Sequence, residues 1–244
     1  MPKQRKPRII AVMPAYNAAK TLKKTYLDIP KYTVDKVIVV DDGSTDKTVA
    51  IAKRLGLPVV VHPQNRGYGG NQKTCYTLAL SEGADVVVMI HPDYQYDSSL
   101  TGELLSPIFQ DRFDVMLGSR IRTREEALKG GMPLYKYIAN RILSFLENIV
   151  LGQNLSEYHT GFRAYKRGIL QKLPFHKYSD DFVFDQQILF GAIALGARIG
   201  EIPVPIRYFP EASSINFRRS VIYGLLIIRD LFLYLTSGKR HFLR

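Results

Sequence analysis

Val39-Val40-Asp41-Asp42-Gly43-Ser44-Thr45-Asp46 sets two carboxylates and a glycine turn directly behind an apolar strand that begins near Lys36. Carboxylates at the carboxyl end of a buried parallel strand face the crevice in which α/β sheets bind their ligands. A base, a ribose hydroxyl or a metal would be met there, which points to an enzyme that handles a nucleotide. Taken alone, the same residues also suit an ordinary strand-to-helix turn, with Asp42 or Ser44 capping a helix that starts near Thr45. The segments on either side decide between the two.

Apolar runs at Ile9 to Met13, Val37 to Val40, Val59 to Val61, Val86 to Ile90 and Val115 to Leu117 read as strands. Between them, Ala19 to Leu27, Thr45 to Leu55, Gln72 to Glu82 and Ser99 to Phe109 follow a helical period. Continuous Val and Ile runs mark strands covered on both faces, and strict strand–helix alternation gives a mostly parallel sheet. A helix over Pro133 to Leu151 follows, then a loop to Thr160, a short segment at Phe162 to Tyr165, a helix over Asp181 to Leu195 and a strand at Ile199 to Ile206. Residues 1–206 read as one catalytic α/β domain. Residues 207–244 read as a basic, aromatic tail carrying an amphipathic helix. Gly69-Gly70 permits a tight turn or a close approach to phosphate at the start of the third helix, although such glycine pairs are common in plain turns.

The 244 residues suffice for one sizeable core, and no linker or low-complexity run divides them. A single cysteine, Cys75, excludes an intrachain disulfide framework and a cysteine-cluster zinc site, and it points to a reducing compartment. The net charge of +12 calls for an anionic partner: lipid headgroups, phosphorylated substrates or nucleic acid. No helix-turn-helix or aromatic-basic RNA-binding motif is present, so nucleic acid is the least suited of the three. The basic start, Met1 to Arg8, runs straight into a strand and lacks the pattern of a signal peptide. Val221 to Leu235 is the most apolar stretch, but Arg229 and Asp230 interrupt it, which suits a membrane interface better than a span.

Further motifs fall at strand ends: Met13-Pro14-Ala15-Tyr16-Asn17, Asn65-Arg66-Gly67, His91-Pro92-Asp93-Tyr94-Gln95, Gly118-Ser119-Arg120 and Thr160-Gly161-Phe162-Arg163. In order and approximate spacing, and over about two thirds of the chain, these together with the Asp-Asp-Gly-Ser turn resemble the family 2 glycosyltransferases of the GT-A fold. Within that family the resemblance is to the dolichyl-phosphate and polyprenyl-phosphate sugar synthases, which move a sugar from a GDP- or UDP-sugar onto a lipid phosphate.

The resemblance implies a nucleotide-sugar donor and a polyprenyl phosphate acceptor, with inversion at the sugar and a divalent cation, Mg²⁺ or Mn²⁺. Pro14, Ala15, Tyr16 and Asn17 would wall the base, and Asp41 and Asp42 would accept hydrogen bonds from base or ribose. Gly70, Lys73 and His91 would serve the donor as well. Asp93 is the first choice of metal ligand, with His91 and Gln95 beside it. The family usually shows Asp-x-Asp at this place, and here His91 replaces the first aspartate. Neutral imidazole suits Mn²⁺ better than Mg²⁺, so His91 stands as a ligand, an outer partner or a diphosphate donor.

A lipid monophosphate is already an anionic nucleophile and needs cations that bind and aim it rather than a strong base. Arg120 and Arg163 are the candidates, with Arg122 and Arg218 behind them; Arg122, Arg124 and Lys129 suit a solvated surface better. A hydroxyl acceptor would instead need a carboxylate base, for which Asp185 and Asp181 are available. A hydroxyl-directed transferase and a catalytically silent nucleotide-sugar binder therefore remain as alternatives. The expected location is peripheral, at the cytoplasmic face of a membrane. A homo-oligomer and a separate membrane anchor subunit both stay open.

Overall fold

The computed structural model describes residues 5–121, 123–205 and 217–244. Seven strands form one sheet in the order β3-β2-β1-β4-β6-β5-β7. They are β1 (Ile9–Ala15), β2 (Lys36–Asp41), β3 (Val59–Val61), β4 (Val86–Met89), β5 (Val115–Ser119), β6 (Arg163–Lys166) and β7 (Ile199–Pro203). The helices are α1 (Leu22–Asp28), α2 (Thr48–Arg54), α3 (Tyr68–Ser81), α4 (Thr101–Phe109), α5 (Arg124–Lys129), α6 (Leu134–Leu151), α7 (Arg167–Leu170), α8 (Phe184–Ala194) and α9 (Phe217–Thr236). This is the mostly parallel α/β architecture that the strand–helix alternation predicts.

Successive strand residues point to opposite faces, and both faces are covered. Ile10, Val12, Val40, Val87 and Met89 share one core with Tyr76 of α3, Ile188 of α8 and Ile227 of α9. Ala11, Met13, Val39 and Val88 share the other with Leu22 of α1, Ala52 of α2 and Leu104 of α4.

Register sets the site. Ala15 of β1 pairs with Asp41 of β2, so Tyr16 and Asp42 leave the sheet side by side. β6 is antiparallel to both β4 and β5, with Arg163 opposite Met89 and Leu117. Its amino end, with the loop before it, therefore arrives at the edge where the parallel strands finish. That insertion brings Thr160 and Gly161 beside the segments after β4 and β5.

Two boundaries differ instructively from the periodic pattern. α3 begins at Tyr68, four residues before the expected Gln72, because Gly67 turns the chain at φ +85° and Gly69 and Gly70 let the first turn lie against the 179–180 backbone. The tail is also less of an appendage than its composition suggests. Ile227, Leu231 and Tyr234 of α9 and Phe242 beyond it are buried in the central core, and Gln187 of α8 donates to buried Asp230 at 2.9 Å. Ile206, the expected end of the last strand, lies outside the described residues.

Candidate active site

Two adjoining cavities lie along the carboxyl edge of the sheet. The first, a cleft, is lined by Pro14, Tyr16, Asp42, Asn65, Arg66, Asn71, His91, Asp93, the 179–182 loop and Arg219. The second, a pocket, is walled by α6 and α9 and shares Tyr68, His91, Asp93 and Phe182 with the cleft. Asp93 thus stands on the seam between them.

The cleft is built by short loops that tie one another. Asn17, at φ +49°, donates its N–H to Ser44 Oγ at 2.8 Å and accepts from the Thr45 N–H at 2.9 Å. Asp46 caps the same turn, accepting from the backbone of Ala19 and Thr48. Asp42 accepts from His62 Nδ1 at 2.7 Å and from the backbone N–H groups of Arg66 and Gly67 at 2.9 and 3.1 Å. Its carboxylate therefore shapes the 65–67 loop as well as facing the cleft. Tyr16 is 55% exposed, so it is a cleft wall and not core. Asn71 donates to Val40 O at 3.1 Å, which orients the amide, while its buried Oδ1 has no hydrogen-bond partner among the described residues. A buried acceptor left in that state is costly unless a ligand or water satisfies it.

Between the cavities stands an aromatic and carboxylate stack. The rings of Tyr68 and His91 are parallel within 4°, with centroids 5.3 Å apart, and Tyr68 also packs on Phe182. The Tyr68 hydroxyl donates to Asp185 Oδ2 at 2.7 Å and lies 3.2 Å from His91 Nε2; Gln72 holds the other Asp185 oxygen at 3.0 Å. Burial, against the opposing charge of Asp185, lowers the His91 pKa to about 4, so the imidazole is neutral. A neutral imidazole keeps a lone pair available to a cation.

In the pocket, Arg120 is fixed by Glu157. The carboxylate takes the Arg120 backbone N–H at 2.7 Å and its guanidinium in a close ion pair, and Asn140 of α6 adds a bond at 2.8 Å. Burial opposes the charge on Glu157, but Arg120 overcomes it and holds the carboxyl below its usual range. Lys136 of α6 lines the same pocket, and burial together with the Arg120 charge pushes its pKa down. Two like charges that raise one another's energy across a part-buried pocket favour an anion between them by ordinary electrostatics.

Not every residue singled out from the sequence reaches a cavity. Arg163 is wholly buried beneath the site. It donates from Nε to Thr160 O at 2.6 Å and from its terminal nitrogens to Asp185 O, Tyr158 O and the Tyr165 hydroxyl. It supports the loop and does not bind an acceptor phosphate. Lys73 is tied to Tyr178 O and to Asp180 Oδ1, and the Gly69 and Gly70 N–H groups both face Asp180 O, so the glycine pair serves loop packing and not a phosphate cradle. Asp41 and Ala15 are fully buried; Asp41 accepts from the Ser44 N–H and faces its own turn. Asn17 shapes that turn and does not line the cleft. Arg218 is exposed, and its neighbour Arg219 is the one that lines the cleft. Arg122 lies outside the described residues. Asp93, His91, Tyr16, Pro14 and Asp42 meet in the cleft, while Gln95, Arg120 and Asp185 line the pocket with Asp93 and His91.

Sequence reading missed Tyr68, Lys136, Glu157, His159 and Tyr223, all in or around the pocket. One signal for them was available. α6 is inverted: its buried positions include Asn140, Ser144 and Glu147, and its exposed ones Ile138, Ile142, Phe145 and Ile149.

The fold agrees with known proteins. The glucosyl-3-phosphoglycerate synthase of Mycobacterium tuberculosis, solved with Mn²⁺ and UDP-glucose, superposes with a TM-score of 0.71 over 95% of this chain and 80% of that one. At 20% identity the likeness concerns the fold. An uncharacterized protein of Methanocaldococcus jannaschii is 30% identical over 93% of this chain and 91% of its own length. The UDP-N-acetylglucosamine–dolichyl-phosphate N-acetylglucosaminyltransferase of Methanococcus voltae is 27% identical over 91% of this chain and 96% of its own. The sequence profile of glycosyl transferase family 2 matches residues 10–174, a span that runs from β1 through the Asp-Asp-Gly-Ser turn, Asp93 and Arg120 to just past β6 and α7, and the chain belongs to that family.

Proposed function

We propose that this protein transfers a hexose from a GDP- or UDP-sugar to a polyprenyl phosphate at a membrane surface. The observation that carries the acceptor is the pocket with Arg120 and Lys136, walled by two helices that turn apolar residues outward. On α9 the exposed residues include Val221, Leu225, Ile228, Phe232 and Leu235, beside the apolar outer stripe of α6. The only acidic residues of these helices, Glu147 and Asp230, are buried, whereas Arg141, Arg218 and Arg229 are exposed. Apolar area with a basic rim suits the headgroup region of an anionic bilayer. No described helix is long and apolar enough to cross one. The dolichyl-phosphate acceptor in the name of the Methanococcus voltae relative supports the same reading.

The donor would lie in the cleft, its base against Tyr16 and Pro14 and its diphosphate toward Asp93. A divalent cation would find few protein ligands there, Asp93 and His91 with Gln95 beside them in the pocket. Among the described residues no three His, Cys, Asp or Glu side chains cluster, so the protein offers Asp93 with His91 and leaves the rest of the shell to the diphosphate, a common arrangement for Mg²⁺ and Mn²⁺. When bound, the cation would offset the charge that grows on the departing nucleotide. Arg120 and Lys136 would hold the acceptor phosphate in line with the sugar, which is the main requirement when the nucleophile is already anionic. Asp185, with both oxygens held by Tyr68 and Gln72, would orient the stack between the cavities.

The test is nucleotide release from a panel of GDP- and UDP-sugars with Mg²⁺ or Mn²⁺, with and without a short-chain polyprenyl phosphate in detergent. Release that depends on the lipid phosphate is expected and names the donor. Donor binding without such release would overturn the acceptor assignment.

A further inference from the structure

Nine buried side-chain atoms have no hydrogen-bond partner among the described residues, and four of them sit together behind the pocket: both Glu147 oxygens, His159 Nε2 and Gln186 Oε1. Glu147, on the inverted face of α6, is fully buried. Its Oε2 lies 3.3 Å from His159 Nε2, within ion-pair range but off hydrogen-bond alignment. Burial raises the Glu147 pKa against the pull of His159. A carboxylate held at that cost, next to a cavity and with one imperfect partner, is a poor device for stability and a recurrent feature of functional sites.

The network leads to one hydroxyl. Gln186 Nε2 is oriented by Tyr158 O at 3.2 Å; it also lies 2.9 Å from His159 Nδ1 and donates to the Tyr223 hydroxyl at 2.7 Å. The Tyr223 oxygen is 3.2 Å from Nδ1, and Tyr223 lines the pocket from α9 alongside Arg120 and Lys136. Having accepted from Gln186, this hydroxyl has one proton left to donate, either to Nδ1 or into the pocket.

We propose that Tyr223 donates that proton in a hydrogen bond to the anionic group of the acceptor, and that Glu147 and His159 are positioning residues that act through it. The assignment rests on the acceptor reading above. It makes α9 part of the acceptor site itself, joined to α6 through the buried Glu147–His159 pair. Burial raises the Tyr223 pKa, so the hydroxyl stays protonated and serves as a donor throughout the neutral range.

The experiment is steady-state kinetics with a short-chain polyprenyl monophosphate, alongside donor affinity by calorimetry and a thermal melt for each variant. Tyr223→Phe removes one oxygen and keeps the ring packing. It is expected to raise the acceptor KM about tenfold, the scale of a lost hydrogen bond to a charged group, with donor Kd unaltered. Glu147→Gln and His159→Gln should raise the same KM, and the Glu147→Gln/Tyr223→Phe double variant should be no worse than Tyr223→Phe alone. An unchanged KM in Tyr223→Phe, additive losses in the double variant, or donor affinity falling in step would each overturn the assignment. If Glu147→Gln does not fold, the Tyr223→Phe arm decides. Wild-type protein inert toward every phosphorylated acceptor would sink the acceptor reading and this assignment together; active wild type with insensitive variants sinks this assignment alone.

Discussion

The cleft and the pocket share Asp93 and His91, yet they are assembled in opposite ways. The cleft is made by loops a few residues beyond strand ends, braced by backbone hydrogen bonds such as those from Arg66 and Gly67 to Asp42. The pocket is made by side chains from α6, α8 and α9 and the 156–161 loop, drawn together over long sequence distances, as in Arg120 with Glu157 and Gln186 with Tyr223. Local chain geometry can build a cleft on a shared sheet, whereas a pocket made of helix faces can change without disturbing that cleft. Family membership therefore speaks more firmly for the donor side than for the acceptor.

The sharpest way to break this division is Arg163, which the sequence reading offered as an acceptor ligand and which the structure buries beneath the pocket. Its guanidinium satisfies three backbone carbonyls in a fully buried setting. Arg163→Ala strands those carbonyls, and the expected loss is about 3–5 kcal/mol, as for removing one partner of a buried charged network. Calorimetry should show a large fall in melting temperature, and Arg163→Lys should fail similarly because one ammonium cannot bridge the same partners. A stable Arg163→Ala protein that loses only acceptor affinity would return Arg163 to the pocket.

Asp93, on the seam, should cost less in stability and more in chemistry. Asp93→Ala is expected to lower lipid-dependent nucleotide release by ~10²-fold or more, comparable to removing a principal charge-stabilising group, with the melt little changed. Asp185→Asn then separates the two acceptor chemistries. With a lipid phosphate, loss of the carboxylate between Tyr68 and Gln72 should reduce turnover by less than about tenfold, whereas a general base for a hydroxyl acceptor would be worth about 10²–10⁴-fold. A loss in the larger range, with donor binding intact, would move the acceptor from phosphate to hydroxyl.

The same division explains how much was legible. The strands, their order of alternation with helices, and the turn after β2 follow from apolar runs and short-range turn chemistry, so Asp42, Tyr16, Asp93 and Arg120 could be picked out. The antiparallel entry of β6 could not, because a four-residue strand carries no sign of direction. That strand sets the fate of Arg163. Lys73 and Gly70 misled for a related reason: a glycine pair and a lysine at a helix start look alike whether they meet a phosphate or the Asp180 backbone. The helical wall of the pocket was legible only in the inverted pattern of α6, where Asn140, Ser144 and Glu147 recur at helical spacing on the side that periodicity alone assigns to solvent.

The smallest expected effect tests the seam itself. His91 is neutral, stacked on Tyr68, and stands where the family usually has an aspartate. Imidazole favours Mn²⁺ over the harder Mg²⁺, which prefers oxygen ligands and gives up water reluctantly. If His91 meets the cation, His91→Asp should shift the ratio of Mg²⁺- to Mn²⁺-supported turnover several-fold toward Mg²⁺, while acceptor KM stays near that of the wild type. The new carboxylate would also sit close to Asp185 through Tyr68, so some stability is lost to like charges in a buried setting. The metal ratio is independent of that loss, because both ions are compared in one variant. A ratio that does not move, with Asp93→Ala still inactive, would leave the cation to Asp93 without His91, and His91 as a wall that keeps Tyr68 in place between the two cavities.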